Sequence, residues 1–426
     1  MNLEITMRRY ATIFLGIVMA ALCTLPAGAD GLKLDDINIH GFISQGYIQT
    51  TKDMNFLIKD SNKGSFEFNE MALNFSASPL DNLSMGVQLA AFDMGHIGND
   101  EVQVDWAFGD YSFRDYLGVQ AGIMKIPFGL YNDVRKIDMV RTSILLPTSV
   151  YPEWFREAFA RIKGAGVYGT LPGNISYQAM YGDVDIQKDG GLTDGMESLL
   201  SDLGMETADT DVDYAYAGKV QWDSPWGLKL AASLYTMNKL EMAMAGTSYL
   251  PATPPLPVGL PLSMTGVLHF EPLRMHVFSA EYMRDRLTLA GEYIEYDLDF
   301  GINLTSNLDP ALSALMGIPS WVGDKTTMQG YYGSVSYRVL DQLELGTYYS
   351  ELYYDKSDHG GDKFKVKFGR PNYDSWLKDI CLSARYDISA NWCAKVEAHL
   401  MDGTFLGYSA TAKNWELYAA KLTYSF

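Results

Sequence analysis

The side chains able to do chemistry are sparse in this chain and keep no catalytic company. No GxSxG, HExxH, CxxC or phosphate-loop pattern occurs in the 426 residues. The chain therefore lacks the spacings that build a strained-turn nucleophile, a paired-imidazole zinc site or a phosphate cradle. Its six histidines are scattered. Alternation puts His40, His276 and His399 on water-facing sides of extended segments, and His96, His269 and His359 in or beside loops. A dyad assembled only by the fold is the one enzymatic route left open. With no nucleophile beside any histidine the chain reads as a non-enzyme, with no cofactor and no resident metal expected.

Charge is distributed less evenly. Arg135, Lys136, Arg141, Arg156, Arg161 and Lys163 crowd into one segment with only Asp133, Asp138, Glu153 and Glu157, in a chain of formal charge −19. From Pro127 the segment shows no strand alternation until a new strand begins near Gly164. A connection that long calls for a function of its own. Residues 127–162 are expected to fold into the mouth of a barrel as a constriction loop. Arg135, Lys136, Arg141, Arg156, Arg161 and Lys163, with Asp133, Asp138 and Glu153, would be carried to that mouth with it.

The N-terminus reads as a secretory signal, residues 1–29. Arg8 and Arg9 precede the apolar run Tyr10–Leu25, and Ala27-Gly28-Ala29 offers small residues for cleavage. Removing it makes the balance one unit more negative and leaves a single unit, 30–426. So acidic a chain has no basic surface with which to displace counterions, which excludes general nucleic-acid binding. Two cysteines remain, Cys381 and Cys393. They fall on the same face of adjacent strands but offset along the ladder, and a bridge between them is left open.

The elements that must position these residues are strands. Period-two alternation recurs from Asp36 to Phe426, most plainly in Asn391–Gly403. There Trp392, Ala394, Val396, Ala398 and Leu400 face one way, and Cys393, Lys395, Glu397 and His399 the other. The separators alternate short and long. Seven tight turns and eight long loops imply sixteen antiparallel strands. A soluble barrel has no reason to sort loop lengths by end. A transmembrane β-barrel does, with short turns toward the periplasm and long loops outside. The strand set includes Tyr214–Asp223, Gly227–Asn238, Pro272–Met283, Leu287–Phe300 and Thr327–Val339, with a bulge expected within 272–283. The final strand carries Tyr418, Ala420, Leu422, Tyr424 and Phe426 on one face, as an outer-membrane assembly signal would.

On the other face of these strands, Lys219, Lys229, Arg338, Arg385, Lys395 and Lys421, with Glu344, Asp379, Asp387 and Glu397, are expected to line a wide polar lumen. Two loops stand apart. Gly182–Asp213 is rich in aspartate; it is either a solvated loop or a divalent-cation site shared with lipopolysaccharide. Tyr249–Pro261 carries five prolines and no charge, and reads as a stiff exposed flap.

The run Gly122–Leu130, GIMKIPFGL, resembles the strand-to-constriction-loop junction of bacterial outer-membrane porins of the phosphate-selective porin superfamily. The resemblance implies a sixteen-stranded barrel in the outer membrane, usually a homotrimer embedded in lipid and lipopolysaccharide, with the third loop folded inward. It also implies an eyelet at which the basic residues favour small polar solutes, and anions such as phosphate or small carboxylates among them. The family's anion-binding residues do not map onto particular positions here. The acidic outer loops keep a cation-preferring general porin open. From a different class, so does a non-conducting structural or adhesive barrel.

Overall fold

Sixteen strands close into one barrel in which each pairs antiparallel with its neighbour in the chain and the last pairs with the first. This is a computed structural model, and it describes residues 37–426 apart from 53, 55–60, 96, 189, 200–203, 251–259, 316 and 406–411. The expected signal segment 1–29, His96, Asp189, Asp202 and most of the proline-rich stretch lie outside the described residues. The strands are β1 (Ile37–Thr50), β2 (Asn69–Leu80), β3 (Leu83–Asp93), β4 (Gln103–Arg114), β5 (Leu117–Lys125), β6 (Arg161–Leu171), β7 (Ile175–Asp183) and β8 (Met205–Asp223). They continue as β9 (Leu228–Leu250), β10 (Leu260–Arg284), β11 (Leu287–Ser306), β12 (Trp321–Arg338), β13 (Leu343–Tyr353), β14 (Trp376–Asp387), β15 (Trp392–Gly403) and β16 (Asn414–Ser425). No helix among the described residues is long and apolar enough to cross a membrane.

Strand number, order and the segregation of short turns to one end agree with the sequence reading. Five strands, however, are longer than expected. β8 to β12 run for 18–25 residues, roughly twice the 9–11 that span a bilayer. Stretches read as loops in 205–213, 239–250, 260–271, 301–306 and 321–326 are therefore ladder, and part of the wall rises well beyond the others on the long-loop side. Met242, Met244, Met264 and Ile302 are fully buried in that extension, so apolar burial carries the pairing past the bilayer. The expected bulge lies at Glu271/Arg274, at the edge of the predicted range, where Pro272 cannot donate to the ladder.

Alternation on β15 is as the sequence predicts. Cys393, Lys395, Glu397 and His399 are buried inward while Trp392, Val396 and Leu400 are exposed outward. The interior as a whole is not the wide polar lumen expected. In the long-loop half it is a packed apolar core, including Tyr235, Met237, Leu240, Met275, Ile294, Tyr296 and Met328 from the wall and Ile144, Leu146, Val150, Trp154 and Phe159 from the 126–160 connection. This also corrects His276. With Met275 and Val277 facing the core, His276 shares the outer face with the exposed Phe278. Where both faces of a strand carry apolar residues, binary pattern does not say which is inside.

Cys381 and Cys393 are both free. Cys381 pairs with His399 and Cys393 with Asp387, so they stand six ladder positions apart, well beyond disulfide reach. No bridge forms. The helix Gly191–Leu199 and the start of β8 occupy much of the acidic stretch. Among the described residues no three of its carboxylates converge as a metal site would require.

Candidate functional site

The run Gly122–Leu130 launches the inward loop, and its glycines are needed for different reasons. Gly122 has φ +135°, and a Cβ there would meet Ala107 O at 2.2 Å across the ladder. Gly129 has φ +58°, and its Cβ would strike Tyr151 Oη at 2.4 Å and Glu292 Oε1 at 2.8 Å. β5 ends at Lys125, just before Pro127, and the chain turns into the barrel.

The loop is fastened all round the wall. At its start Lys219 donates to Gly129 O (2.7 Å) and Gly129 N–H donates to Ser233 Oγ (2.9 Å). The carboxylate of Glu292 gathers Leu130 N–H at 2.8 Å, Tyr151 Oη at 2.5 Å, Tyr332 Oη at 2.8 Å and Ser279 Oγ at 2.5 Å. Farther along, Arg385 donates to Met139 O (2.6 Å), and Lys395 donates to Asp138 O (2.5 Å) and Ser143 O (3.1 Å). Glu397 accepts Ile144 N–H (2.6 Å) and Leu145 N–H (3.1 Å). Tyr235 and Tyr296 close the circuit on Ala158 O and Val150 O.

Its charges form an alternating chain. Lys395 lies 3.7 Å from Asp138, Asp138 2.9 Å from Lys421, and Lys421 2.6 Å from Glu70. Glu70 pairs with Arg156, Arg156 lies 3.4 Å from Glu153, and Glu153 2.9 Å from Arg135. Thr423 adds a hydroxyl to Asp138 at 3.0 Å. Burial alone pushes the Asp138 carboxyl up, but Lys421, Lys395 and Arg141 together hold it well below its ordinary value. A second anchor is Asp105 of β4, which takes Lys136 at 2.7 Å and Lys125 at 2.6 Å. Burial drops the Lys136 amine to about 8 although Asp105 favours its charge.

Of the expected constriction residues, the fold brings together Arg135, Lys136, Arg141, Arg156, Asp138 and Glu153. Arg135, Lys136 and Arg156 are taken up in ion pairs, and Arg141 lies 3.5 Å from Asp138. Arg141 donates to Arg135 O and Ile144 O, has an Nε–H without a protein partner, and faces a cavity. Asp133 is exposed on the loop. Arg161 ties β6 to Val104 O of β4 at 2.7 Å. Lys163 lies on the face of β6 opposite the buried Ile162, and pairs with exposed Asp185 outside the constriction.

The expected wall residues all face inward. Lys229 meets Glu281 at 2.9 Å, and Arg338 meets Glu344 at 2.8 Å and Asp387 at 2.9 Å. Arg385 meets Asp387 at 2.7 Å. On the short-turn side of the loop a cavity of about 320 Å³ is lined by Arg141, Arg338, Arg385, Glu281 and Glu344, with Tyr131 and Tyr332. The sequence reading missed Asp105, Glu70 and Glu292, which hold the loop. Each is one acid on a strand, and no spacing marks it out.

A closed antiparallel barrel of sixteen strands with one connection folded across its lumen defines the architecture of outer-membrane porins. Solved structures share it. The chain is similar to OmpF of Salmonella typhi at 12% identity and TM-score 0.55, over 93% of this chain and 99% of that one. It is similar to the outer membrane channel DcaP of Acinetobacter baumannii at 12% and 0.53, over 92% and 97%. It is similar to the anion-selective porin of Comamonas acidovorans at 13% and 0.50, over 92% and 99%. At such identity the likeness is one of fold. No family model and no curated protein matches the chain.

Proposed function

We propose that this protein is a bacterial outer-membrane channel of the porin type, through which small polar solutes diffuse passively. The observation that carries the reading is the inward loop, fastened round the wall above a charged cavity. Arginines and carboxylates together line that cavity, and a charged lining favours polar solutes over apolar ones. The three arginines on its lining would favour small anions, phosphate or carboxylates, over cations. No bond chemistry enters. The protein sits in lipid and lipopolysaccharide and assembles as a homotrimer, as porins of this architecture do. In the long-loop half, apolar packing between the loop and the wall occupies the barrel interior.

That packing favours one other reading, a plugged barrel that serves as a structural or adhesive anchor. Reconstitution in a planar bilayer, with the reversal potential measured across a salt gradient, separates the two. Steady conductance with anion preference, reduced when Arg141, Arg338 and Arg385 are neutralised together, is the expected result. Conductance with cation preference would keep the channel and remove the arginines as its filter. Folded protein that never conducts would leave the anchor.

A further inference from the structure

The wall beside the loop holds a second cluster of chemistry-bearing groups that does not belong to the charged cavity. In the β14–β15 ladder Cys381 stands directly opposite His399, and Ser383 opposite Glu397. All face inward, so the thiol, the imidazole and the carboxylate converge. Their ligand atoms lie within 4.8 Å of one another, and all three residues are buried. Asp379 holds the other side of the ring, its oxygens 3.0 Å from His399 Nδ1, and it also accepts Tyr348 Oη at 3.0 Å.

Asp379 holds a proton at Nδ1 and turns Nε2 toward Glu397 and Cys381, where an unprotonated Nε2 would offer its lone pair to a metal. Nε2 lies 3.0 Å from Glu397 Oε1 but makes no hydrogen bond. At that distance it is direction, not separation, that fails. With Nε2 unprotonated, a cation between it and the Glu397 oxygen would satisfy both atoms. Ligand atoms round a tetrahedral zinc ion stand roughly 3.3–3.8 Å apart, given bonds of about 2.0–2.3 Å. Binding would draw the three ligand atoms from within 4.8 Å of one another to that spacing.

We propose that Cys381, Glu397 and His399 bind one divalent transition-metal ion of the zinc class, with Asp379 as the positioning residue. Thiolate and imidazole select zinc, cobalt or cadmium over magnesium or calcium. Binding releases the thiol proton to solvent and involves no redox step. The ion has a structural consequence as well. Glu397 also accepts the Ile144 and Leu145 N–H groups, so a metal held there locks the middle of the inward loop to β14 and β15. The site stands whether or not the barrel conducts.

The test is to refold the full chain with Co²⁺ and record the near-ultraviolet thiolate-to-cobalt band. One ion per chain is expected in the wild type and in Cys393→Ser, displaced by Zn²⁺. The band should vanish in Cys381→Ser, and affinity should fall at least 10-fold in His399→Gln. Asp379→Asn should weaken binding by about 10–100-fold, as loss of an outer-shell carboxylate does. A wild-type protein without the band would mean an imidazolium held between two carboxylates and would overturn the site, as would a band that survives in Cys381→Ser. If the variants do not refold, zinc measured in wild-type protein purified from membranes decides. About one ion per chain supports the site, and less than about a tenth sinks it.

Discussion

Asp138 on the inward loop and Lys421 on the last strand lie 2.9 Å apart. Their contact is the central link of the chain Lys395, Asp138, Lys421, Glu70, Arg156, Glu153 and Arg135. A loop rich in arginine and lysine cannot enter a barrel unless the wall supplies opposite charge, because an isolated buried ion is strongly disfavoured. Glu70 and Asp105 supply it from the wall. Lys395 and Lys421 do the reverse for Asp138.

Breaking this link should release the loop. Asp138→Asn leaves Lys421 and Lys395 short of an anion, and removing one member of a buried pair costs about 3–5 kcal/mol. The expected outcome is a lower unfolding temperature and a larger, noisier single-channel conductance. Unchanged conductance would detach the ion chain from the docking of the loop. Acid alone should not have this effect. The Asp138 carboxyl is held below its ordinary 3.8, so its contribution is complete above that value and is lost only as pH falls through the lowered one. Conductance recorded stepwise from pH 7 to about 4 should stay level.

Lys136 points to the opposite end of the pH scale. Its amine is lowered from 10.5 to about 8 by burial, so between those values the unfolded chain binds the extra proton and stability from this group rises with pH. The lumen meanwhile loses one positive charge near pH 8. Reversal potentials taken from pH 7 to 9 should drift toward cations with a midpoint about 8 in the wild type, and stay flat over that range in Lys136→Met. A drift that persists in the variant would assign it to another group.

Glu292 fixes the start of the loop through Leu130 N–H and three hydroxyls. Glu292→Gln keeps the shape but removes the charge from four hydrogen bonds. The loss should be about 1.5–3 kcal/mol, the worth of a hydrogen bond to a charged group. Protease cleavage within 127–160 of the folded protein should rise several-fold. Equal cleavage of variant and wild type would show that the tyrosine cluster does not hold the loop.

The seam between β1 and β16 is sensitive to volume. Gly41 and Phe426 exchange backbone hydrogen bonds of 3.1 and 3.0 Å. A Cβ at Gly41 would meet Ala72 O at 2.7 Å and the Phe426 ring at 2.8 Å. Gly41→Val should therefore reduce the heat-modifiable folded form in membranes, as should deletion of Phe426. If both fold to wild-type yield, neither the ring nor the close approach matters for closure.

Much of the architecture follows from sequence alone. Period-two alternation is a local property, so strand existence, the count of sixteen and the sorting of turn lengths can be read residue by residue. The inward facing of Lys219, Lys229, Arg338, Arg385, Lys395 and Lys421 followed from the same parity. Composition placed the basic loop within an acidic chain, and Pro127 marked where it departs. What the sequence could not decide is what each charge meets. Whether Arg156 lines water or is sealed in an ion pair depends on Glu70, which is remote in the chain and comes close only when the barrel closes. The same limit applies to His276, whose face depended on an apolar core that the loop and the wall create together. It applies as well to Cys381 and His399, which carry no metal spacing in sequence because ladder register, not proximity along the chain, sets them opposite one another. Periodicity fixes which way a side chain points relative to its own strand, and only closure of the barrel around the loop fixes what lies in that direction.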